Sequence, residues 1–479
     1  MAYNIILQAM STLRIDETKN EKKHYIKSNY FSVPGKLIGK HLYYSQLEPV
    51  SVMLIKQGII PDMILSLCTK ATIEKEQTFA LEEDMGNELT ITPYEFYKSR
   101  VSALLPEDAP TKFVTVDIDE SNINAGIVGA ADEILAVKTR LEQENASDKS
   151  VKVWVNTQGG FRDISLVLNA IINLMSAYDI EIADIYSMPF GMQKDGSTPI
   201  ESKMQNYQIF DFVVGMKEFL NYGRSDTLTK YYAFKASQNG HMQSQEAELV
   251  TTMKQVADAI QTCSPRRFNE GLKLLGKKIN AYEESGAQFF DIFVEKVKED
   301  YGILLSGTYT TIDVVKWFHK KEFYQQALTY IEAFIPTELV KMGILSWTYN
   351  QEKVEHLKWL RKQTYVADAN YLLFTFCNAR TKDSYKMKKA FEANIRKKSF
   401  VVREKGESVT VTLQKPLADM NAKERTKLFA FIDSYYELKE LRNQFNHMSE
   451  KEHRISIQKL SNKIMQFENQ GKGLYKKYK

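Results

Sequence analysis

Five short apolar runs punctuate the first part of the chain, and each gives way to small or polar residues. They are Asn4 to Met10 (NIILQAM), Asp62 to Leu67 (DMILSL), Lys112 to Ile118 (KFVTVDI), Val151 to Asn156 (VKVWVN) and Ile180 to Tyr186. Their length and their Val and Ile content predict buried strands. Between them the apolar spacing changes to three and four residues, which predicts helices over Gln46 to Gln57, Pro93 to Leu105, Asn122 to Glu144 and Ile164 to Tyr178. The longest of these carries Ile127, Ala130, Ile134, Val137 and Leu141 on one face. The charged segment Arg14 to Lys27 predicts an exposed loop. Strands alternating with helices predict a Rossmann-like, doubly wound parallel sheet with helices on both faces, ending near residue 190.

Gly191 to Met204 (GMQKDGSTPIESKM) is polar and reads as a linker or exposed loop. From Asn206 the strand signal fades. Helical spacing recurs over 206 to 221, 226 to 239, 243 to 261, 266 to 279, 284 to 299, 311 to 319, 321 to 335 and 337 to 344, then over 352 to 364 and 366 to 378. Ser399 to Gln414 (SFVVREKGESVTVTLQ) alternates around Lys405-Gly406 and predicts an inserted β-hairpin. Helices over 422 to 448 and 450 to 470 close the chain. The expected class is therefore α/β plus all-α: a sheet domain (1–190), a helical linker or bundle (191–345), and a C-terminal helical domain carrying the hairpin (346–479).

Composition narrows this little. With 479 residues, 43% hydrophobic, 26% charged and net +4, the chain is an ordinary soluble type, and any basic site has to be local. The densest cationic stretch holds Arg380, Lys382, Lys386, Lys388, Lys389, Arg396, Lys397, Lys398 and Arg403. It reads either as a solvated face or, with Tyr385, Phe391 and Phe400 interleaved, as a surface for an RNA backbone with some base stacking. Cys68, Cys263 and Cys377 are widely spaced and read as reduced thiols. No leader pattern and no run of ~20 apolar residues is present, so a cytoplasmic protein without a membrane span is expected. No HExxH and no His/Cys cluster marks a metal site. Gly271 to Lys278 (GLKLLGKK) approaches a Walker A spacing but sits in a helical pattern with no strand before it, and is rejected as a nucleotide loop.

Candidate chemistry falls in two places. Ligands of doubly wound sheets sit at the carboxyl ends of the strands, which here carry Ser11 and Thr12, Thr69 and Lys70, and the run Asn156, Thr157, Gln158, Gly159, Gly160, Phe161, Arg162. The two glycines allow close backbone approach, and the helix that follows favours a phosphate; a plain strand-to-helix turn uses glycines in the same way. No GxGxxG follows any strand, which argues against a coenzyme site. The second place is YYELKELRNQFNHMSE, Tyr435 to Glu450, whose Tyr435, Leu438, Leu441 and Phe445 repeat helically. There Arg442 and His447 pair an always-charged guanidinium with an imidazole near pKa ~6.5, a combination suited to metal-independent RNA cleavage through the ribose 2′-hydroxyl. Asn443 could orient either group. Residues five apart point about 140° away from each other on one helix, so the pair works better when two copies meet across a two-fold axis, and a homodimer is expected. The same spacing also arises by chance on charged helices.

Taken in order, NTQGGFRD after the fourth strand, the segment DVVKWFHKKEFYQQALTYIEAFIPTELV (313–340) and RNQFNH in a C-terminal helical domain resemble the ancillary ribonucleases of type III CRISPR systems, in the Csm branch. Those proteins join a CARF sensor domain to a HEPN nuclease domain. The resemblance implies a homodimer whose paired CARF domains bind a cyclic oligoadenylate, the hexa-adenylate ring ahead of the tetra-adenylate, as allosteric activator. Cleavage of single-stranded RNA in a composite HEPN cleft would follow, with no cofactor required. Carried over, Arg442, Asn443 and His447 take the catalytic places. Ser11, Thr12, Thr69, Asn156, Thr157, Gln158, Gly159, Gly160 and Arg162 belong to the activator site, with Thr157 the residue for activator cleavage if that occurs. The long helical middle and the 399–414 hairpin depart from a minimal HEPN core. The alternative expectation is a nucleotide-binding regulator without catalytic activity.

Overall fold

The computed structural model describes residues 2–13, 15–16, 24–25, 28–32, 41–43, 47–80, 88–119, 121–144, 150–188, 197–239, 245–282, 288–360, 369–376, 384–397, 399–404, 406–413, 420–447 and 455–476. The chain forms two compact units, Met1–Ile209 and Phe210–Lys479.

In the first unit the strands are β1 (Tyr3–Ala9), β2 (Ile15–Asp16), β3 (His24–Tyr25), β4 (Ser28–Ser32), β5 (His41–Tyr43), β6 (Met63–Cys68), β7 (Gln77–Ala80), β8 (Glu88–Ile91), β9 (Lys112–Asp117), β10 (Val151–Asn156), β11 (Glu181–Ser187) and β12 (Ser197–Ser202). The helices are α1 (Glu48–Lys56), α2 (Lys70–Ile73), α3 (Pro93–Ser102), α4 (Ile123–Gln143) and α5 (Ile164–Ala177). The main sheet runs β5-β4-β12-β11-β10-β1-β6-β9, and β9, β6, β1, β10 and β11 are mutually parallel. These five are the expected strands. Their spatial order, third, second, first, fourth, fifth, reverses between β1 and β10.

Both faces of the sheet are covered, which is why β1 reads as a nearly unbroken apolar run. Ile5, Leu7 and Ala9 pack against α4 and α5 through Ala130, Ile134, Val167 and Ile171. Ile6 and Met10 face α1 and α3 through Val50, Met53, Tyr97 and Val101. Each such aliphatic side chain contributes about 1.5–3 kcal/mol by leaving water.

Two expectations are corrected here. Within the segment read as an exposed loop, Ile15–Asp16 and His24–Tyr25 are strands of a four-stranded sheet, β2-β3-β7-β8; the rest of 14–27 lies outside the described residues. Backbone pairing, together with the Gln77 amide bonded to both the N–H and the carbonyl of Leu13, builds this sheet, so side-chain periodicity gives no signal. Within the expected linker, Ser197–Ser202 forms β12, antiparallel to β11 and parallel to β4. Ile200 is its one large apolar residue and is buried.

In the second unit the helices are α6 (Met204–Tyr222, which starts in the first unit), α7 (Asp226–Asn239), α8 (Gln245–Gln261), α9 (Pro265–Asn280), α10 (Gln288–Tyr301), α11 (Thr311–Lys320), α12 (Tyr324–Lys341), α13 (Gln351–Leu360), α14 (Ala369–Phe376), α15 (Ser384–Ile395), α16 (Ala422–His447) and α17 (Ile457–Tyr475). The predicted hairpin is β14 (Ser399–Glu404) with β15 (Glu407–Leu413), joined by β13 (Trp347–Thr348). One buried cluster extends from Phe212 to Tyr475, so residues on both sides of the expected boundary at 345/346 share a core.

Pro336 does not divide α12 into the two helices expected there. A proline at this place removes the donor for the carbonyl four residues earlier, that of Glu332, and the Tyr435 hydroxyl reaches the same oxygen at 3.5 Å. Among the described residues no helix is long and apolar enough to cross a membrane.

Candidate functional site

At the carboxyl ends of the central strands, backbone geometry brings the Asn156–Gly160 turn beside Ser11. β1 and β10 are neighbours in register, Gln8 opposite Asn156, so the turn after β10 lies beside the end of β1. Gly159 and Gly160 have φ of 88° and 82°, a conformation that side-chain-bearing residues rarely adopt. A Cβ at Gly159 would stand 2.3 Å from the Ala9 carbonyl and 3.4 Å from Ser11 Oγ. The glycine therefore closes the turn onto the strand end, with Leu47 at the start of α1 as a third wall. The Gln158 N–H donates to Asn156 Oδ1 at 3.1 Å, and Gln158 Nε2 donates to the Met188 carbonyl. Thr157 donates through both its N–H and its hydroxyl to the Tyr186 carbonyl.

Thr69 follows β6, the strand beside β1, and caps the four-residue helix α2. Thr12 and Arg162 are exposed on either side of the turn. Where the order reverses between β1 and β10, the connections that follow them pack on opposite faces, the place at which ligands of such sheets bind.

Beneath the turn lies a polar layer that sequence reasoning missed. Gln8, Ser66 and Asn156 are fully buried and adjacent in register on β1, β6 and β10. Gln8 Nε2 donates to Ser66 Oγ at 3.2 Å, and the Tyr97 and Ser51 hydroxyls lie 2.7 Å apart on the helices above. Burial pushes the Tyr97 phenol up from its ordinary value, so it stays a neutral donor. Gln8 Oε1 and Asn156 Nδ2 are buried without a hydrogen-bond partner. The available signal was one polar residue near the carboxyl end of each of NIILQAM, DMILSL and VKVWVN.

In the helical unit, α16 starts where predicted. Asn421 caps it by accepting from the Glu424 N–H, and the Glu424 carboxylate accepts from the Asn421 amide. Tyr435 and Leu438 are buried and Leu441 packs on the core, but Phe445 is 49% exposed, so the apolar stripe ends a turn earlier than its spacing implied. Arg442 Nε lies 3.2 Å from Glu332 Oε2 on α12, an ion pair too poorly aligned for a hydrogen bond, and Arg442 Nη1 donates to Asn443 Oδ1 at 3.2 Å. Lys439 also approaches Glu332, at 3.5 Å. The α16 backbone continues through His447, whose side chain lies outside the described residues.

Arg442 forms part of the wall of a cavity of about 720 Å³, shared with the α8–α9 turn and with α12. That turn is a Schellman arrangement: the Ser264 N–H donates to the Ala259 carbonyl, the Cys263 N–H donates to Ile260, and Cys263 takes φ of 45°. Burial raises the Cys263 pKa while the nearby Arg442 charge pulls it the other way. Glu332 and the α8–α9 turn were missed because they lie more than a hundred residues from Arg442 in the chain.

The remaining expectations resolve structurally. Phe391 and Phe400 are buried, which removes them as base-stacking residues, because the hairpin and α15 need them for the core. Lys388 pairs with Asp433, Lys389 sits over the Tyr385 ring, and Arg396 sits over Phe429. Arg380, Lys382, Lys398 and Cys377 lie outside the described residues. His319 bridges Glu468 (2.7 Å) and Ser461 (2.8 Å), tying α11 to α17. GLKLLGKK lies within α9, with Gly276 against the Leu305 carbonyl. Among the described residues no cluster of three or more His, Cys, Asp or Glu could hold a metal ion.

No protein-family model matches the chain, and no curated protein matches it.

Proposed function

We propose that this protein is a cyclic-oligoadenylate-activated, metal-independent endoribonuclease acting on single-stranded RNA in type III CRISPR antiviral defence, with a CARF-like sensor in the first unit and a HEPN-like nuclease centre on α16. The observation that carries the reading is Arg442, fixed by Glu332 and Asn443 on a cavity wall, five residues before His447 on the same helix. The His447 imidazole takes the proton of a ribose 2′-hydroxyl, and that oxygen attacks the adjacent phosphorus. The bond to the 5′-oxygen breaks, the leaving oxygen regains a proton, and a 2′,3′-cyclic phosphate remains. Arg442 stabilises the charge that gathers on the phosphoryl oxygens. Two chains pool these residues in a cytoplasmic homodimer, and the exposed Phe445 between Arg442 and His447 suits such a contact.

On the sensor side, the Asn156 to Gly160 turn with Ser11 and Thr12, flanked by Thr69 and Arg162, receives the ring, the hexa-adenylate ahead of the tetra-adenylate. The neutral hydroxyls of Ser11 and Thr12 suit adenine edges and phosphate oxygens, while Thr157 and Gln158 donate within the protein. If the sensor also cuts its activator, Thr157 is the residue for that step. Activation requires that the ring bind the cleavage-competent state more tightly than the resting one.

One observation favours a second reading, a nucleotide-binding regulator without catalysis: Arg442 already has an anionic partner in Glu332. Cleavage of a fluorescent single-stranded RNA in EDTA, with each ring added separately, decides between them. A ribonuclease is activated by one ring, and His447→Ala loses ~10²–10⁴-fold in rate while still binding that ring. Equal activity of His447→Ala and wild type, or no cleavage by a folded dimer with either ring, rejects the nuclease reading.

A further inference from the structure

We infer that the cavity beside Arg442 seats one nucleotide of the single-stranded RNA, flanking the phosphate that is cut, with its own phosphate on Arg266, Lys341 and the amino end of α9. The inference rests on the ribonuclease reading and adds to it a substrate subsite built by the helical middle of the chain. A cavity of about 720 Å³ has room for a nucleotide.

Its charge is one-sided. Among the described residues Arg266, Lys341 and Arg442 line it against the single carboxylate of Glu332, which Arg442 and Lys439 already share. Among the described residues neither Arg266 nor Lys341 has an ion-pair partner, and both are exposed at the cavity.

The sixteen-residue helix α9 begins at the same wall. Ser264 is its N-cap without a side-chain bond onto the helix, Pro265 takes the first position, and the N–H groups of Arg266 and Arg267 follow without intrahelical acceptors. The Schellman turn at Cys263 sets this end of α9 on the cavity wall.

An independent observation points to an occupant. Thr337, also on the wall, is 5% exposed, yet its Oγ1 is buried with no hydrogen-bond partner. A helical threonine ordinarily bonds back to a carbonyl of the preceding turn, and this one does not. Phe334 and Tyr371, both half-buried on the wall, put aromatic side chains beside the base. Arg442 links this subsite to the scissile phosphate.

The test compares full-length wild type with Arg266→Gln, Lys341→Gln and the double variant, each first shown to melt like wild type. KM and kcat for activated cleavage of single-stranded RNA are measured over a range of salt. Binding of an RNA carrying 2′-deoxy sugars is measured in the His447→Ala background. Each cation removed raises KM and the RNA Kd about tenfold and leaves kcat within about twofold. It also lowers the slope of log Kd against log salt by about 0.7, the signature of one lost phosphate contact on a single strand.

Wild type that cuts RNA alongside a folded double variant of unchanged KM and salt slope overturns the subsite and leaves the nuclease reading standing. Loss confined to kcat overturns it too. Wild type that neither binds nor cuts RNA with either ring defeats the nuclease reading, and the subsite falls with it.

Discussion

The turn after β10 and the Arg442 cavity hold their polar groups by opposite means. At the turn, strand register and two left-handed glycines place the backbone, and the side chains of Thr157 and Gln158 bond to carbonyls only about thirty residues away. In the helical unit, side chains hold side chains across long sequence separations: Glu332 to Arg442, and His319 to Glu468, 149 residues apart. A site of the first kind tolerates many changes of side chain but not an added atom at the turn. In the second kind the backbone is ordinary helix, and removing one partner strands the other in a protein interior.

The sharpest way to break this contrast is Gly159→Ala. The left-handed φ costs about 1–2 kcal/mol for a residue with a Cβ, and the 2.3 Å approach to the Ala9 carbonyl adds about 1–3 kcal/mol because neither backbone can yield. Denaturant unfolding of the full chain should show this loss, and calorimetric binding of the cyclic oligoadenylate should weaken with it. A variant as stable as wild type would mean that the turn is looser than its geometry implies.

His319→Ala probes the opposite principle and ranks next. It leaves the buried Glu468 carboxylate without its imidazole partner and Ser461 without an acceptor or donor, at a cost of about 2–3 kcal/mol. His319→Gln, which can still bond one of the two, should recover part of that loss in the same unfolding experiment. If Ala and Gln are equally stable, the bridge is incidental to the packing of α11 on α17.

The contrast also explains what the sequence reveals and what it conceals. The five parallel strands and helices α1, α3, α4 and α5 are readable because each buries a face whose period is set by its own residues, as in Ile5, Leu7 and Ala9 against Ile6 and Met10. The turn from Asn156 to Gly160 is readable for a related reason: glycine at a strand end is a local requirement. β12 and the β2-β3-β7-β8 sheet are concealed because backbone pairing defines them while their side chains carry little period. Continuity of α12 through Pro336 is concealed as well, since the Tyr435 hydroxyl that approaches the freed Glu332 carbonyl comes from about a hundred residues away. The partners of Arg442 are hidden in the same way. Nothing in RNQFNH points to Glu332, and nothing in TCSPRR points to Arg442.

The smallest expected effect tests whether a side-chain-held group responds to pH as its surroundings demand. Glu338 on α12 is mostly buried and accepts from the Thr311 N–H at 2.7 Å and from the Tyr475 hydroxyl at 2.8 Å. Burial raises its pKa, the bonds from Thr311 and Tyr475 offset part of that rise, and Asp313 adds to it. A carboxyl whose folded pKa lies above its unfolded one binds its proton more readily in the folded state. Its contribution is therefore fully present below the unfolded value of about 4.3 and is lost as pH rises through the folded value. Glu338→Gln carries no such proton. The stability of wild type minus that of the variant should therefore grow as pH is lowered from about 7 to about 5, with the groups common to both proteins cancelling. Parallel stability curves would show that the two hydrogen bonds fully offset the burial of the charge, and a difference that shrinks toward acid would show that they outweigh it.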